Sequence, residues 1–473
     1  MIKQTPFVHC FKTREQKYIY DVNKNTVLRV PEEVYTALSR HNESSYDSEY
    51  ILRLMEKGLL SSNRIESICH PENDFLYHQL SNKVQRMILQ VTQQCNLRCE
   101  YCVYSGGYEN RHHSNGKMSL ETAIKAIDFL LSHSSEANSL SIGFYGGEPL
   151  LEFPLVKEAM EYAMKRVTKE LTFSVTTNGT LLTDEIISYF EKNNVVLLIS
   201  LDGPKEIHDR NRKFAGGETG TFDKIMNNLM DIRSKHPEYY KKIAFSVVLD
   251  PNSDLSCTKN FFSSNELVKD LYKSPSYVDE VLKKDEIESD GNFEEDLNYE
   301  CFKLYLSKLG FIDKENISSL VYIRYSELKR FNNDLKSNPM LSKEWHHSGP
   351  CIPGVQRLLV NVNGDLFPCE RVSESSDAMK IGNINEGFDL TKASTLLNIG
   401  KLSEDNCKNC WAIRFCTICA KLCDDGNQLC AKTKAINCGR VRRMVEETMK
   451  DYCTFKEFDH DFESEDELLE DFL

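Results

Sequence analysis

The chain has 473 residues, 40% hydrophobic and 27% charged, with Gly 22 and Pro 13; it is globular and not collagen-like or Pro-rich. Its longest apolar runs, such as VVLLI at 195–199, fall far short of the ~20 residues of a membrane span. With no apolar signal core in MIKQTPFVHCFKTREQKY, no membrane and a cytoplasmic location are expected. The net charge of −14 comes without a basic footprint, which argues against a nucleic-acid partner.

Residues 1–75 predict a small module: strands in FVHCFK, KYIYDV and TVLRV, then helices in PEEVYTALSRH and SEYILRLMEKGL. Three strands followed by two helices suggest a winged-helix shape, either a packing extension or a peptide-docking module with an open strand edge. Over 85–250, the β-rich runs MILQV, LSIGFY, TFSVTTN, VVLLISLD and IAFSVVLD alternate with amphipathic helical segments. That alternation predicts an α/β fold with a parallel sheet or barrel and function at the C-terminal strand ends. Ser119 and Thr183 stand at N-cap positions. Residues 251–345 read as a helical insertion or bridge, with helices at LVKDLY, YECFKLYLSKLG and YSELKRF. From 346 to 453, cysteines, Gly and Asn replace periodic segments, which suits a small fold held by metal clusters instead of a large apolar core. Residues 454–473 read as a disordered acidic tail; 455–473 alone carry a net −8.

Seventeen cysteines in a reducing compartment imply metal or redox chemistry. Cys95, Cys99 and Cys102 form a CxxxCxxC loop after the first barrel strand. Three thiolates on one short loop suit a 4Fe–4S cube with one open iron; the competing reading is a zinc site completed by His112 or His113. Cys10, Cys69, Cys257, Cys301 and Cys453 stand apart as ordinary thiols.

CNLRCEYC, with Tyr101 before the third cysteine, resembles the signature of radical S-adenosylmethionine (SAM) enzymes. FYGGEPLL is similar to that family's GGEP motif at Gly146, Gly147, Glu148 and Pro149, with Glu148 a candidate for the SAM ammonium. SVTTNGT and ISLDGP offer Thr176, Asn178, Ser200 and Asp202, and HDxxR at 208–212 supplies Arg212 for the SAM carboxylate. The resemblance implies a partial (β/α)6 barrel, SAM as cofactor, and a 5′-deoxyadenosyl radical that abstracts a substrate hydrogen.

The C-terminal region resembles the SPASM extension, which houses two auxiliary clusters and brings the expected total to three 4Fe–4S clusters. Cys351, Cys369, Cys407, Cys410, Cys416 and Cys438 match its pattern. Where the family places a further cysteine this chain has Ala420, flanked by Cys419 and Cys423, so either is a candidate ligand. Two zinc ribbons are the competing reading. The N-terminal module is similar to the leader-recognition element (RRE) of peptide maturases. Sulfatase maturases carry a cysteine six positions after the first SPASM cysteine; here it is Arg357. A first auxiliary cluster on Cys351, Cys369 and one of Cys419 or Cys423 would then keep an iron open for a substrate thiolate, which resembles the thioether-forming SCIFF and freyrasin-type maturases; the competing reading is that a spare cysteine, above all Cys430, closes that cluster. Glu370 is the candidate base, in competition with a plain ion pair to Arg371. The expected partners are a cysteine-containing precursor peptide with its leader and an electron donor such as flavodoxin or ferredoxin. Formylglycine formation or epimerisation, and a non-catalytic iron–sulfur or zinc peptide binder, are the alternatives.

Overall fold

The computed structural model describes residues 5–40, 46–109, 111–286, 291–314, 317–337 and 340–463. Strands β1 (Val8–Lys12), β2 (Lys17–Asp21) and β3 (Thr26–Arg29) form an antiparallel sheet in the order β1-β2-β3. Alternation gives each strand two apolar faces. Val8, Cys10, Ile19 and Leu28 pack with the helices Glu32–Ser39 and Glu49–Glu56 in a small separate core. Phe7, Phe11, Tyr18 and Tyr20 face the main core instead. The module is therefore docked on the C-terminal region: the His9 ring stacks on Trp411 at 3.6 Å, and Arg414 donates to the carbonyls of Val22 and Asn23 (2.8 and 3.3 Å).

After β4 (Ser67–Ile68) and the helix Leu76–Asn82, β5 (Arg86–Thr92) opens the main sheet. β6 (Leu97–Cys99) is a short excursion; β7 (Ser139–Gly146), β8 (Glu170–Thr177) and β9 (Val196–Ser200) follow, each after a helix. β10 (Arg212–Phe214) returns to pair with β6, and β11 (Ala244–Leu249) and β12 (Tyr272–Tyr277) complete a parallel set in the order β12-β11-β9-β8-β7-β5. Six parallel strands with intervening helices match the expected (β/α)6 count. The sixth strand, β12, lies inside the stretch read as a helical bridge, and LVKDLY is a turn leading into it. Its polar, Pro-containing sequence YKSPSY hides the strand; only the register against β11 makes it one. The other two bridge helices form as expected, within Asn292–Lys308 and Tyr322–Lys336. Ser119 and Thr183 do cap their helices, accepting from Thr122 N and Ile186 N at 3.0 and 3.3 Å.

β13 (Glu344–Trp345) pairs with β4; β14 (Leu358–Val360) then runs parallel to β5 on its free side. β15 (Asp365–Phe367), β16 (Gly382–Asn383) and β17 (Gly387–Phe388) extend the same sheet to ten strands. Besides its clustered cysteines, the C-terminal region therefore shares the large apolar core of the sheet. Leu358, Val360, Leu366, Met379, Leu397 and Ile418 are buried in the core that the parallel strands share. The boundary drawn at 454 fails, because the helix Ala431–Glu457 runs through it and Phe455 and Phe462 are buried against the Tyr322–Lys336 helix. The acidic residues 464–473 lie outside the described residues. Among the described residues no helix is long and apolar enough to cross a membrane.

Candidate active site at the strand ends

The cysteine loop leaves the C-terminal end of β5 and is clamped from two sides. On one side, Gly147 N donates to Thr92 O and Glu148 N to Gln94 O, both at 2.9 Å. A side chain on Gly146 (φ +142) would lie 2.1 Å from Thr92 O, and one on Gly147 2.2 Å from Gln94 O. The two glycines thus admit the backbone of the cysteine loop at close range. On the other side, β6 pairs with β10 so that Arg212 stands opposite Cys99. Glu100 N bonds Asn211 O and Ala215 N bonds Asn96 O, at 3.1 and 2.8 Å.

The three thiols are half-buried. Burial pushes Cys95 up to about 11 and Cys99 up to about 12, while Arg212 pulls Cys99 back down. Leu97 N donates to Cys95 Sγ at 3.4 Å, and Asn178 Nδ2 lies 3.9 Å from the same sulfur. Three thiols costly to keep as free thiolates, beside a guanidinium and a backbone donor, are the donor set a cationic iron–sulfur unit satisfies. Among the described residues no three His, Cys, Asp or Glu side chains converge as for one bound metal ion.

Glu148 is fully buried, and its carboxylate accepts from Thr177 Oγ1 (2.7 Å), Asn178 N (2.7 Å) and Leu150 N (3.0 Å). Burial pushes it up to about 7 against those three bonds. These bonds tie the end of β7 to the end of β8. Asp202 is buried as well. It receives Arg212 Nε at 2.8 Å and Nη2 at 3.2 Å, Val248 N at 3.1 Å, and the Tyr101 hydroxyl. Burial, the largest influence, pushes the Asp202 carboxyl up, but the charge and hydrogen bonds of Arg212, with His208 and the Tyr101 hydroxyl, together outweigh it and the net shift is downward. Arg212 thus pairs with a protein carboxylate through Nε and Nη2, and its Nη1 makes no hydrogen bond among the described residues. Thr176 and Ser200 occupy the half-buried row of β8 and β9, opposite the helix-packed row, with no side-chain hydrogen bond among the described residues.

Glu370 pairs with Arg357 (2.5 Å), not Arg371, and its Oε2 is buried without a partner. Arg86, whose Nε is also buried and unpartnered, is pushed down first by burial, then by Arg357, with Glu370 acting against them. Tyr104 donates to Glu374 at 2.6 Å, and Gln90 donates to the same carboxylate at 2.7 Å. Sequence reasoning passed over this link between the cysteine loop and the C-terminal region. Its signal was legible: Gln90 is the one polar residue inside the apolar run MILQV.

The charges that the C-terminal thiols feel group Cys407, Cys410, Cys416 and Cys438, and set Cys369 beside Cys419, with Cys423 between the two. Cys410 feels Cys407 and Cys438, and Cys416 feels Cys410 and Cys407. Cys369 feels Cys419 instead, and Cys423, fully buried, feels Cys419, Cys438 and Cys416. Cys351 is exposed, and Cys430 caps the Ala431–Glu457 helix. Between the cysteine loop and this region lies a cleft lined by Tyr108, Arg111, Asp279, Arg371, Lys421 and Asp424.

Residues 89–254 match the Radical SAM superfamily, and the chain carries a radical SAM domain, the class that binds AdoMet and a 4Fe–4S cluster. The radical SAM cyclopropyl synthase TigE of Paramaledivibacter caminithermalis is 28% identical over 282 residues, 54% of this chain and 57% of that protein. A cysteine-type anaerobic sulfatase-maturating enzyme of Clostridium novyi is 33% identical over 156 residues, 32% of this chain and 41% of that one. The chain thus spans about half the length of these relatives. The solved structure of hexahistidine-tagged anSMEcpe with bound AdoMet has the same fold (TM-score 0.56, 21% identity, 80% of this chain, 98% of that one). A second, with AdoMet and the Kp18Cys peptide, gives a TM-score of 0.54 at 20% identity over 77% of this chain and 99% of that one.

Proposed function

We propose that this chain is a radical SAM peptide maturase with a SPASM-type C-terminal region, installing thioether crosslinks between a cysteine sulfur and a carbon of a precursor peptide. When bound, the cluster and AdoMet supply the one-electron chemistry that begins hydrogen abstraction. Cys95, Cys99 and Cys102 hold the cluster. Thr176 and Ser200 line the AdoMet side, and Arg212 offers the terminal nitrogen that Asp202 leaves free. Cys407, Cys410, Cys416 and Cys438 form one complete four-thiol set.

The observation that carries the thioether reading is the Arg357–Glu370 pair. Arg357 stands where sulfatase maturases carry a ligand, and its charge is spent on Glu370. The second set is then Cys351, Cys369 and Cys419 or Cys423. With three thiols it is one short of a closed cube, and a peptide thiol is the soft donor that matches the shortfall. Glu370, with one oxygen paired and one free, is positioned to take that thiol's proton. Among the described residues β3 pairs only with β2, which leaves a strand edge for the leader. The electron donor is of the flavodoxin or ferredoxin type.

Formylglycine formation is the second reading, favoured by the likeness to sulfatase-maturating enzymes. Mass spectrometry of a cysteine-containing precursor peptide coexpressed anaerobically with this chain tests both. A crosslink removes a pair of hydrogens and protects the cysteine from alkylation. An aldehyde that reacts with hydrazides would replace the thioether reading with the second one, and an unchanged mass with inverted stereochemistry would replace both with epimerisation.

A further inference from the structure

Lys434, in the first turn of the Ala431–Glu457 helix, is 1% exposed. Its Nζ lies 2.6 Å from Ser403 Oγ and 2.9 Å from Cys407 Sγ. Among the described residues no carboxylate pairs with it, and its charge bears on Cys416 and Cys423 as well. A buried ammonium without an anion is costly, by several kcal/mol at the order-of-magnitude level. The anions within reach are sulfurs. His346 and His347 share this surrounding, but burial holds both imidazoles down and so neutral, with His346 near about 4.

We infer that Lys434 raises the reduction potential of the centre that Cys407 ligates, and leaves that of the other C-terminal centre alone. The inference rests on the cluster reading above. Each electron added to an iron–sulfur centre makes its thiolate shell more negative. A buried cation that donates to a ligating sulfur stabilises the reduced form and raises the potential. Ser403 is the positioning partner: its oxygen holds Nζ and itself lies 3.5 Å from Cys407 Sγ.

The test uses the full chain with Cys95, Cys99 and Cys102 changed to Ala, so that only the C-terminal centres report. Iron and sulfide analysis comes first. If this protein carries no iron–sulfur centre, the cluster reading itself has failed. Where iron is present, an electron paramagnetic resonance redox titration is run on Lys434→Met, Lys434→Gln and Lys434→Arg. Met and Gln, which remove the charge, should each lower one midpoint and leave the other in place. Arg, which keeps the charge, should stay close to the parent. If Met costs iron, Gln, which keeps a donor without the charge, carries the same expectation. Loaded Met or Gln variants with both midpoints at parental values would overturn the inference while leaving the clusters established.

Discussion

The loop of Cys95, Cys99 and Cys102 and the thiol stretch of residues 404–430 are held in different ways. The first hangs between two strand ends. Backbone bonds from Gly147, Glu148, Glu100 and Ala215 fix its path, and the strands beneath are buried in the main core. The second has only the short helix Glu404–Lys408 and single 3-10 turns at Ile413–Phe415 and Ala420–Cys423. There the half-buried cysteines Cys407, Cys410 and Cys416 are themselves part of the packing. A loop shaped by the sheet keeps its form whatever it binds. A stretch that packs through its ligands gains fold from the metal.

The sharpest way to test the contrast is to remove ligands from the sheet-held loop. Cys95→Ala, Cys99→Ala or Cys102→Ala should abolish 5′-deoxyadenosine production while costing only about 1 kcal/mol of stability, an ordinary value for a half-buried side chain. Parental AdoMet cleavage in any one of them would remove the cluster from this loop. Chelation of the iron is the converse. Amide exchange should speed up across 404–430 while β7 and β8 stay protected, and equal exchange in both regions would erase the distinction.

Within the sheet, Asp202→Asn leaves Arg212 buried and unpaired, and about 3–5 kcal/mol of stability should go with it, seen as a large fall in Tm. His208 gives a smaller, pH-dependent effect. Its ring accepts from Asp202 N (3.3 Å) and bonds Thr221 Oγ1 (2.9 Å), and burial lowers it from 6.5 to about 3. The unfolded chain takes up this proton below 6.5 and the folded chain resists it. The contribution is therefore intact above 6.5 and fades as the pH falls toward about 3. Thermal melts across that window should slope more steeply for the parent than for His208→Gln; parallel slopes would assign the acid limb elsewhere. Smallest is Arg414→Ala, which removes two bonds to the N-terminal module and should cost about 1–2 kcal/mol, read as faster exchange in β2 and β3.

The parallel strands and their helix caps were legible because period-2 and period-3.6 patterns are local. The cysteine spacings were legible for the same reason. What escaped depends on contacts between distant segments. YKSPSY has no apolar alternation and becomes β12 only beside β11. Arg212 looked free until β10 set it opposite Cys99 and within reach of Asp202. Glu370 next to Arg371 invited a neighbour pairing, but its partner Arg357 comes from before β14.

The pairing of β14 with β5 has a practical consequence for anyone who cuts this protein into pieces. Residues 358–360 saturate one flank of the strand from which the cysteine loop springs, in register Leu358 to Met87. A fragment ending before 346 would bare that flank: a row of unpaired amides and carbonyls beside Met87, Ile88 and Leu89, all buried in the intact chain. Such a flank recruits another strand, and the nearest source in solution is a second copy of the fragment. The isolated N-terminal two-thirds should therefore aggregate even though every sequence motif of its catalytic loop is present, and coexpression with the 346–463 piece should restore solubility.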